Sequence, residues 1–125
     1  MGKLSRSKGA RFERRIARWL SLILGRDVMR QTDEPQQGNR GDVRVSLSPS
    51  TNLVIQAKHQ KRPSVWRAMA EAEEACRSKG DFPVACVRRH GGDDLVVMRP
   101  RDFSRLMACL DHARSDWSDI PSETW

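Results

Sequence analysis

Four polar residues, widely separated in the chain, have side chains that suit phosphodiester hydrolysis if the fold brings them together. Asp42 begins a predicted strand directly after the turn-forming sequence at residues 38–41. Gln56 and Lys58 stand two residues apart in the next predicted strand, so their side chains point to the same side. Glu13 lies at the edge of a predicted helix that could cover the same end of the sheet. We therefore predict that Glu13, Asp42, Gln56 and Lys58 form a catalytic site, with Glu71 of the second predicted helix as a supporting residue only.

The donor atoms of these residues suit a divalent cation that prefers hard oxygen ligands. We expect Asp42, Gln56 and the backbone carbonyl of Ala57 to hold Mg²⁺, with Mn²⁺ as a substitute. Glu13 is expected to bind the ion through water or to help hold a second ion. A bound metal polarises the phosphate and lowers the pKa of a bound water. Lys58 is expected to orient or deprotonate that water, and its ammonium form to offset charge on the phosphorane.

The basic residues of this chain are concentrated at one end. Residues 1–30 hold nine basic and two acidic residues, which accounts for the whole net charge of +7. Charge distributed in this way favours a phosphate-backbone partner over the alternative, a solvated helix face with a slightly basic tail. The predicted DNA-binding residues are Lys3, Arg6, Lys8, Arg11, Arg14, Arg15 and Arg18, with Arg40, Lys61 and Arg62 later in the chain.

Composition narrows the class of protein. A chain of 125 residues is the usual size of one domain. The longest apolar run, residues 106–110, is too short to span a bilayer, and the N-terminus lacks the apolar middle of a secretory signal. Three cysteines with no Cys-x-x-Cys pair favour neither disulfides nor a zinc knuckle. We expect a cytoplasmic protein without a membrane partner.

Periodicity and turn residues predict seven elements in the order α-β-β-α-β-β-α. This order indicates an α/β or α+β sandwich with a mixed sheet, in which the strand at 43–47 is one limb of a hairpin. Residues 1–114 are expected to form one domain with a basic N-terminal arm, followed by a loose acidic tail at 115–125. The predicted helices are 7–24, 64–79 and 100–113, and the predicted strands are 42–47, 53–58, 82–88 and 95–99. Gly25 is the expected C-cap of the first helix and Ser64 the expected N-cap of the second. The apolar stripe of the first helix is expected to consist of Phe12, Ile16, Trp19, Leu20 and Ile23.

Several apolar residues are expected to pack in the core. Trp19 and Trp66 lie at or near the apolar stripes of their helices, which favours packing over base stacking. Phe103 and Met107 are expected to point inward from the third helix, together with Leu106 and Leu110. The three cysteines are expected in the core, and His59, His90 and His112 at the surface, because the histidines lack the spacing of metal ligands. No basic residue stands three or four positions from Glu13, so an ion pair on the helix surface explains Glu13 poorly.

The motifs resemble those of a known group of nucleases. Asp42 followed by Gln56-Ala57-Lys58, after a helix that carries Glu13, resembles the PD-(D/E)xK nuclease superfamily. The stretch at 8–14, Lys-Gly-Ala-Arg-Phe-Glu-Arg, and the later Gly-Asn-Arg-Gly-Asp at 38–42 look most like archaeal-type Holliday-junction resolvases and their small phage relatives. The resemblance implies a restriction-endonuclease-like core and a metal-dependent endodeoxyribonuclease for branched DNA. It also implies a homodimer with two active sites, located in the host cytoplasm if the protein is phage-encoded.

One position departs from the resolvase pattern. Gln56 stands where the resolvases carry glutamate, and Gln-x-Lys is more typical of Mrr-like restriction endonucleases of the same superfamily. An amide oxygen still coordinates a metal, but it should hold the ion less strongly than a carboxylate. Two alternatives therefore stay open: an Mrr-like or other repair nuclease that cuts linear duplex, and a nuclease-fold protein that binds DNA without cutting it.

Overall fold

The computed structural model describes residues 3–31 and 41–112, with side chains described for 8–31 and 41–111. Within these residues, three helices and four strands follow one another in the predicted order. The expected acidic tail at 115–125 and the turn at 38–40 lie outside the described residues. The elements are α1 (Lys3–Leu24), β1 (Val43–Ser48), β2 (Thr51–Gln60), α2 (Val65–Ala75), β3 (Asp81–Arg89), β4 (Asp94–Val97) and α3 (Pro100–His112).

The four strands form one mixed sheet in the order β1-β2-β3-β4. β1 and β2 form an antiparallel hairpin, in agreement with the sequence prediction, and β3 and β4 form a second one. β2 and β3 are parallel, and α2 connects them. The protein is therefore α+β, with a mixed sheet flanked by helices, as the sequence predicted. The carboxyl ends of β2 and β3 lie at the same edge of this sheet.

Helices cover both faces of the sheet, and the period of two along each strand determines which side chains they meet. Phe12 and Ile16 of α1 pack with Val43, Ile55 and Cys86 in one core cluster. On the opposite face, Ala68 and Met69 of α2 pack against Ala85 and Val87 of β3. Small side chains along α2 allow the helix to approach the strands closely.

Helix α1 has a narrower buried face than the sequence predicted. Phe12 and Ile16 are buried, but Ile23 is exposed and Trp19 is 46% exposed, so neither of the latter two packs in the core. Ala17 occupies the buried face instead. The predicted C-cap is confirmed, because Gly25 has a φ of +67° and donates its backbone N–H to the Ser21 carbonyl at 2.9 Å.

Helix α2 begins where the sequence predicted but ends earlier. The Ser64 hydroxyl accepts a hydrogen bond from the Arg67 N–H at 3.2 Å, as expected of the N-cap. The helix ends at Ala75, because Cys76 is extended and the following backbone N–H groups turn toward Asp81. Trp66 is 76% exposed, so the prediction that it packs in the core is wrong. Trp66 directly follows Val65 and lies outside the buried face of the helix, which is formed by Ala68, Met69, Ala72 and Ala75.

Helix α3 lies partly outside the core. Phe103 and Met107, expected to point inward, are exposed, whereas Leu106 and Leu110 are half-buried. Asp102 is the buried residue of the first turn. Of the three cysteines, Cys86 is buried as expected and Cys76 is half-buried, while Cys109 is exposed.

Asp81 connects several segments at the end of the sheet where β3 begins. Its buried carboxylate accepts hydrogen bonds from Arg44 of β1, from Asn52 of β2 and from the backbone N–H of Arg77, at 2.8 to 3.1 Å. Burial raises the pKa of Asp81, but these hydrogen bonds outweigh it and hold the pKa at about 2. The carboxylate therefore joins two strands and the loop after α2.

Candidate active site

The backbone of β2 holds Asp42 in place at the point where β1 begins. The Asp42 N–H donates to the Ile55 carbonyl at 2.8 Å, and one carboxylate oxygen accepts from the Ala57 N–H at 2.8 Å. Gly41, which precedes it, has a φ of +84° and lies against Ile55 and Val54 so closely that a Cβ there would be 3.0 Å from the Val54 methyl. Glycine at position 41 thus allows the chain to place Asp42 beside β2.

The carboxyl group of Asp42 has a strongly altered pKa. Burial raises its pKa from 3.8 to about 6, partly offset by the hydrogen bond from Ala57. The negative charges of Glu13 and Glu71 raise the pKa further, and the positive charge of Lys58 lowers it. Asp42 therefore interacts with Glu13 from α1 and with Lys58 and Glu71, which lie on the α2 side. Perturbed carboxylates in such clusters are typical of functional sites.

Gln56 and Lys58 share the face of β2 that α2 covers. Gln56 is in register with Ala85, and Lys58 with Val87, and both of these β3 residues pack against α2. The side-chain carbonyl oxygen of Gln56 is buried and has no hydrogen-bond partner among the described residues. A buried polar atom without a partner is costly, and it is the type of atom that a cation or an ordered water satisfies.

An ion pair with Glu71 fixes the ammonium group of Lys58. The Lys58 Nζ lies 2.7 Å from a carboxylate oxygen of Glu71 on α2, and both side chains are mostly shielded from solvent. The sequence predicts Glu71 near the site as a supporting residue only. The structure gives it this direct contact, which holds the lysine against the helix side of the sheet.

Glu13 has an ion-pair partner that its own helix does not supply. Its carboxylate lies 3.2 Å from the Nε of Arg30, and the two side chains are only 13% and 15% exposed. Arg30 forms an antiparallel bridge with Val43, and the next N–H, that of Gln31, donates to the Asp42 carbonyl at 2.9 Å. The segment after α1 thus connects Glu13 to the start of β1. The sequence contains no signal for this contact, because the chain must first turn back beside β1.

The carboxylate and amide oxygens of this cluster are the kinds of donor that Mg²⁺ prefers. Asp42 offers a carboxylate, and Gln56 an amide oxygen that no described residue contacts by a hydrogen bond. Because burial disfavours the ionised form of Asp42, a cation in addition to Lys58 would stabilise it. Within residues 3–31 and 41–112, no three His, Cys, Asp or Glu side chains are arranged to hold a metal ion. A metal here would therefore depend on Gln56, and Glu13 would have to share its carboxylate with Arg30.

Most of the predicted DNA-binding residues that the structure describes are exposed, and two of them contact other side chains. Arg11, Arg14, Arg15 and Arg18 extend from α1 into solvent, and Lys61 and Arg62 are exposed in the turn between β2 and α2. Lys8 differs, because its ammonium group lies 2.6 Å from the His90 ring nitrogen. Arg15 also lies 3.7 Å from a carboxylate oxygen of Asp94. The side chains of Lys3 and Arg6, and all of Arg40, lie outside the described residues.

Two of the histidines pack together beside Lys8. The His59 ring makes edge-on contacts with Phe12 and with His90, each with ring centres 5.8 Å apart. Burial lowers the pKa of His59, and the positive charges of Lys8 and Arg88 lower it further. His90 is exposed as predicted, and His59 is half-buried at the margin of the core. The side chain of His112 lies outside the described residues.

Comparison of the sequence with protein-family models gives no match, and comparison with curated proteins gives none either. None of the helices in the described part of the chain has both the length and the apolar character needed to cross a membrane.

Proposed function

We propose that the protein is a metal-dependent endodeoxyribonuclease that hydrolyses phosphodiester bonds in branched DNA, as a homodimer with the PD-(D/E)xK nuclease fold. One observation carries the proposal: Asp42, the Lys58–Glu71 pair and the Gln56 carbonyl, which has no partner among the residues that the structure describes, gather at one end of the sheet. The exposed arginines of α1 support a polyanionic substrate.

Each residue of the cluster has a role that follows from its contacts. Asp42 and Gln56 would hold Mg²⁺, with the Ala57 carbonyl and Glu13 as further oxygen donors. The bound ion would polarise the phosphate and lower the pKa of its water. Lys58 would stabilise negative charge that develops on the phosphorane, and Glu71 would keep its ammonium group in position. Arg30 would orient Glu13.

Cleavage of junction, flap and linear duplex DNA with Mg²⁺ tests the proposal. We expect cutting at the junction, and we expect Asp42→Ala and Lys58→Ala to abolish it while they leave DNA affinity nearly unchanged. Asp27→Ala and Lys79→Ala are matched controls, because both residues are exposed and lie apart from the cluster. Turnover close to that of the unmodified protein in either Asp42→Ala or Lys58→Ala would refute the site.

The exposed arginines of α1 make a separate prediction about binding. Arg14 and Arg18 lie one helical turn apart on α1 and are both exposed. Replacement of both by Ala is expected to weaken DNA binding. The slope of log affinity against log salt should also fall, by roughly 0.9 for each phosphate that no longer binds an arginine. An unchanged slope would place the DNA on another surface.

One observation favours a second candidate, a nuclease-fold protein that binds DNA without cutting it. The Glu13 carboxylate is already paired with Arg30, and position 56 carries an amide rather than a carboxylate. Tight binding without cleavage of any DNA in the same assay would select this candidate. Cleavage of linear duplex would instead select an Mrr-like or other repair or restriction nuclease.

A further inference from the structure

Trp66 is an aromatic side chain in an unusual place. It is the second residue of α2 and is 76% exposed, although tryptophan is among the residues most stabilised by burial. The core on this face of the sheet is completed without it, by Ala68, Met69, Ala85 and Val87. The fold therefore has no evident need for an indole at this position.

The chain segment around Trp66 is strongly basic, and the nearby carboxylates of Glu73, Asp93 and Asp94 are each paired with an arginine. Residues 59–70 include Lys61, Arg62 and Arg67 and contain no acidic residue. All three cations are exposed, and they lie at the N-terminal end of α2, where the helix dipole is also positive. An exposed indole among cations is suited to a ligand that has both an aromatic ring and a negative charge, as a nucleotide does. An apolar protein surface would match the indole but not these charges.

The indole also has a fixed neighbour. The guanidinium carbon of Arg99 lies 5.8 Å from the centre of the Trp66 ring. Arg99 is itself held by two hydrogen bonds to Glu73, at 2.9 and 3.1 Å. These contacts support the ring on one side, while most of the side chain stays accessible to a partner. A flat surface that is supported in advance loses little freedom when a base stacks on it.

Trp66 lies on the same helix as a residue of the candidate active site. The helix that carries Trp66 also carries Glu71, whose carboxylate lies 2.7 Å from the Lys58 ammonium group. Five residues of α-helix correspond to a rise of about 7.5 Å. The same spacing turns the side chain by roughly 140° around the helix axis. Trp66 therefore faces Arg99, beyond β4, while Glu71 faces β2, and a nucleotide on Trp66 would belong to a flanking part of the bound DNA rather than to the phosphodiester at Lys58.

We propose that Trp66 is a stacking platform for a nucleobase that is exposed at a branch, gap or end of the DNA, and that Lys61, Arg62 and Arg67 bind the adjoining phosphates. In a continuous duplex both faces of each base are covered, so the indole can stack only where the duplex is interrupted. The inference rests on the proposed function, and it names the structural feature by which that site would distinguish branched from linear DNA.

The test compares binding of Trp66→Ala, Trp66→Phe and the unmodified protein to two DNAs, in EDTA so that no cleavage occurs. One DNA is a continuous duplex, and the other has the same sequence with a short single-stranded gap. Stacking on one base is worth about 5- to 150-fold in affinity. We expect Trp66→Ala to lose that factor on the gapped DNA and less than twofold on the duplex, and Trp66→Phe to retain most of the affinity.

Fluorescence provides an independent measurement. The gapped DNA should quench the tryptophan emission of the unmodified protein, and most of that quenching should disappear in Trp66→Phe. Trp19→Phe is the matched control: Trp19 is also partly exposed and lies on α1 among the arginines proposed to bind DNA, so its quenching should be equal with duplex and gapped DNA. Quenching specific to the gapped DNA that disappears in Trp19→Phe and persists in Trp66→Phe would overturn the proposal. Equal loss of affinity on both DNAs, or no loss, would also overturn it, and would leave Trp66 as a contact for another partner.

The outcomes separate this inference from the proposed function. Asp42→Ala should keep the quenching and the preference for gapped DNA, because Asp42 is not part of the stacking surface. If Asp42→Ala cuts DNA as fast as the unmodified protein, the proposed active site fails but the stacking result stands. If Trp66→Ala binds gapped DNA normally and Asp42→Ala is inactive, the inference fails and the active site stands.

Discussion

Replacement of Asp42 by asparagine should stabilise the metal-free protein at neutral pH. Burial, together with the charges of Glu13 and Glu71, raises the pKa of Asp42 from 3.8 to about 6, so ionisation of this carboxyl is unfavourable in the folded state. The asparagine side chain would be neutral at every pH, and its carbonyl oxygen could still accept the hydrogen bond that the Ala57 N–H donates. The substitution would thus remove the charge and keep the geometry.

The magnitude and the pH window follow from the two pKa values. Each pKa unit corresponds to about 1.4 kcal/mol, so the rise to about 6 amounts to roughly 3 kcal/mol. Between pH 4 and 6 the folded state binds more protons at Asp42 than the unfolded state does. The free energy of unfolding therefore falls as pH rises through this window, and the loss is complete above pH 6. Asp42→Asn should not show this loss.

The assay is urea denaturation of both proteins from pH 4 to pH 8 in EDTA. We expect similar free energies of unfolding near pH 4, and an advantage for Asp42→Asn on the order of 2–3 kcal/mol at pH 7 to 8. Asp27→Asn is the control, because Asp27 is exposed. Parallel curves for Asp42→Asn and the unmodified protein, or a less stable variant at pH 8, would refute the placement of Asp42 in a buried, negatively charged cluster.

Two further predictions concern the elements that position the site. Gly41→Ala should cost more stability than Gly91→Ala, by about 1 kcal/mol or more in thermal unfolding. Both glycines have positive φ, but only at Gly41 would a Cβ come within 4 Å of other atoms; equal losses of stability would contradict this explanation. Asp81→Asn should destabilise the protein by about 1–3 kcal/mol at pH 7, because it removes the negative charge that faces Arg44 and replaces one of the two acceptor oxygens with an NH2 donor, so that some of these donors lose their acceptor. Since the folded pKa of Asp81 is lowered to about 2, its contribution should be complete above pH 4 and disappear as pH falls toward 2, and acid titration of the folding equilibrium checks this sign.

Much of the architecture was predictable because it depends on local patterns. Alternating apolar residues and turn residues predicted all four strands, and the period of two placed Gln56 and Lys58 on one face before any contact was known. Ser64 and Gly25 carry capping signals that act within one helical turn, and both cap their helices as predicted. These features need no information about distant parts of the chain.

The features that the sequence did not reveal depend on how the chain folds back on itself. Glu13 pairs with Arg30, seventeen residues away, through a segment that turns beside β1, so spacing along α1 could not reveal it. Trp19, Trp66 and Phe103 are apolar and near a helical stripe, which is why the sequence predicts them in the core. Each helix buries fewer residues than its apolar stripe contains. On α1 and α2, small side chains such as Ala17 and Ala68 occupy the buried positions. Whether the cluster binds metal and cuts DNA stays a prediction.

The hydrogen-bonded Asp81 lies where β3 begins, and the candidate site lies four to six residues further along β2, toward the opposite end of the sheet. One end of the sheet is therefore held by the hydrogen bonds of Asp81, and the other end carries the unfavourable charge of Asp42. We therefore expect variants at residues 42, 56 and 58 to fold, because the hydrogen bonds of Asp81 still join the strands at the other end of the sheet. The same scaffold would tolerate experimental redesign of its reactive end, with new donor sets introduced there while Arg44, Asn52 and Asp81 are left intact.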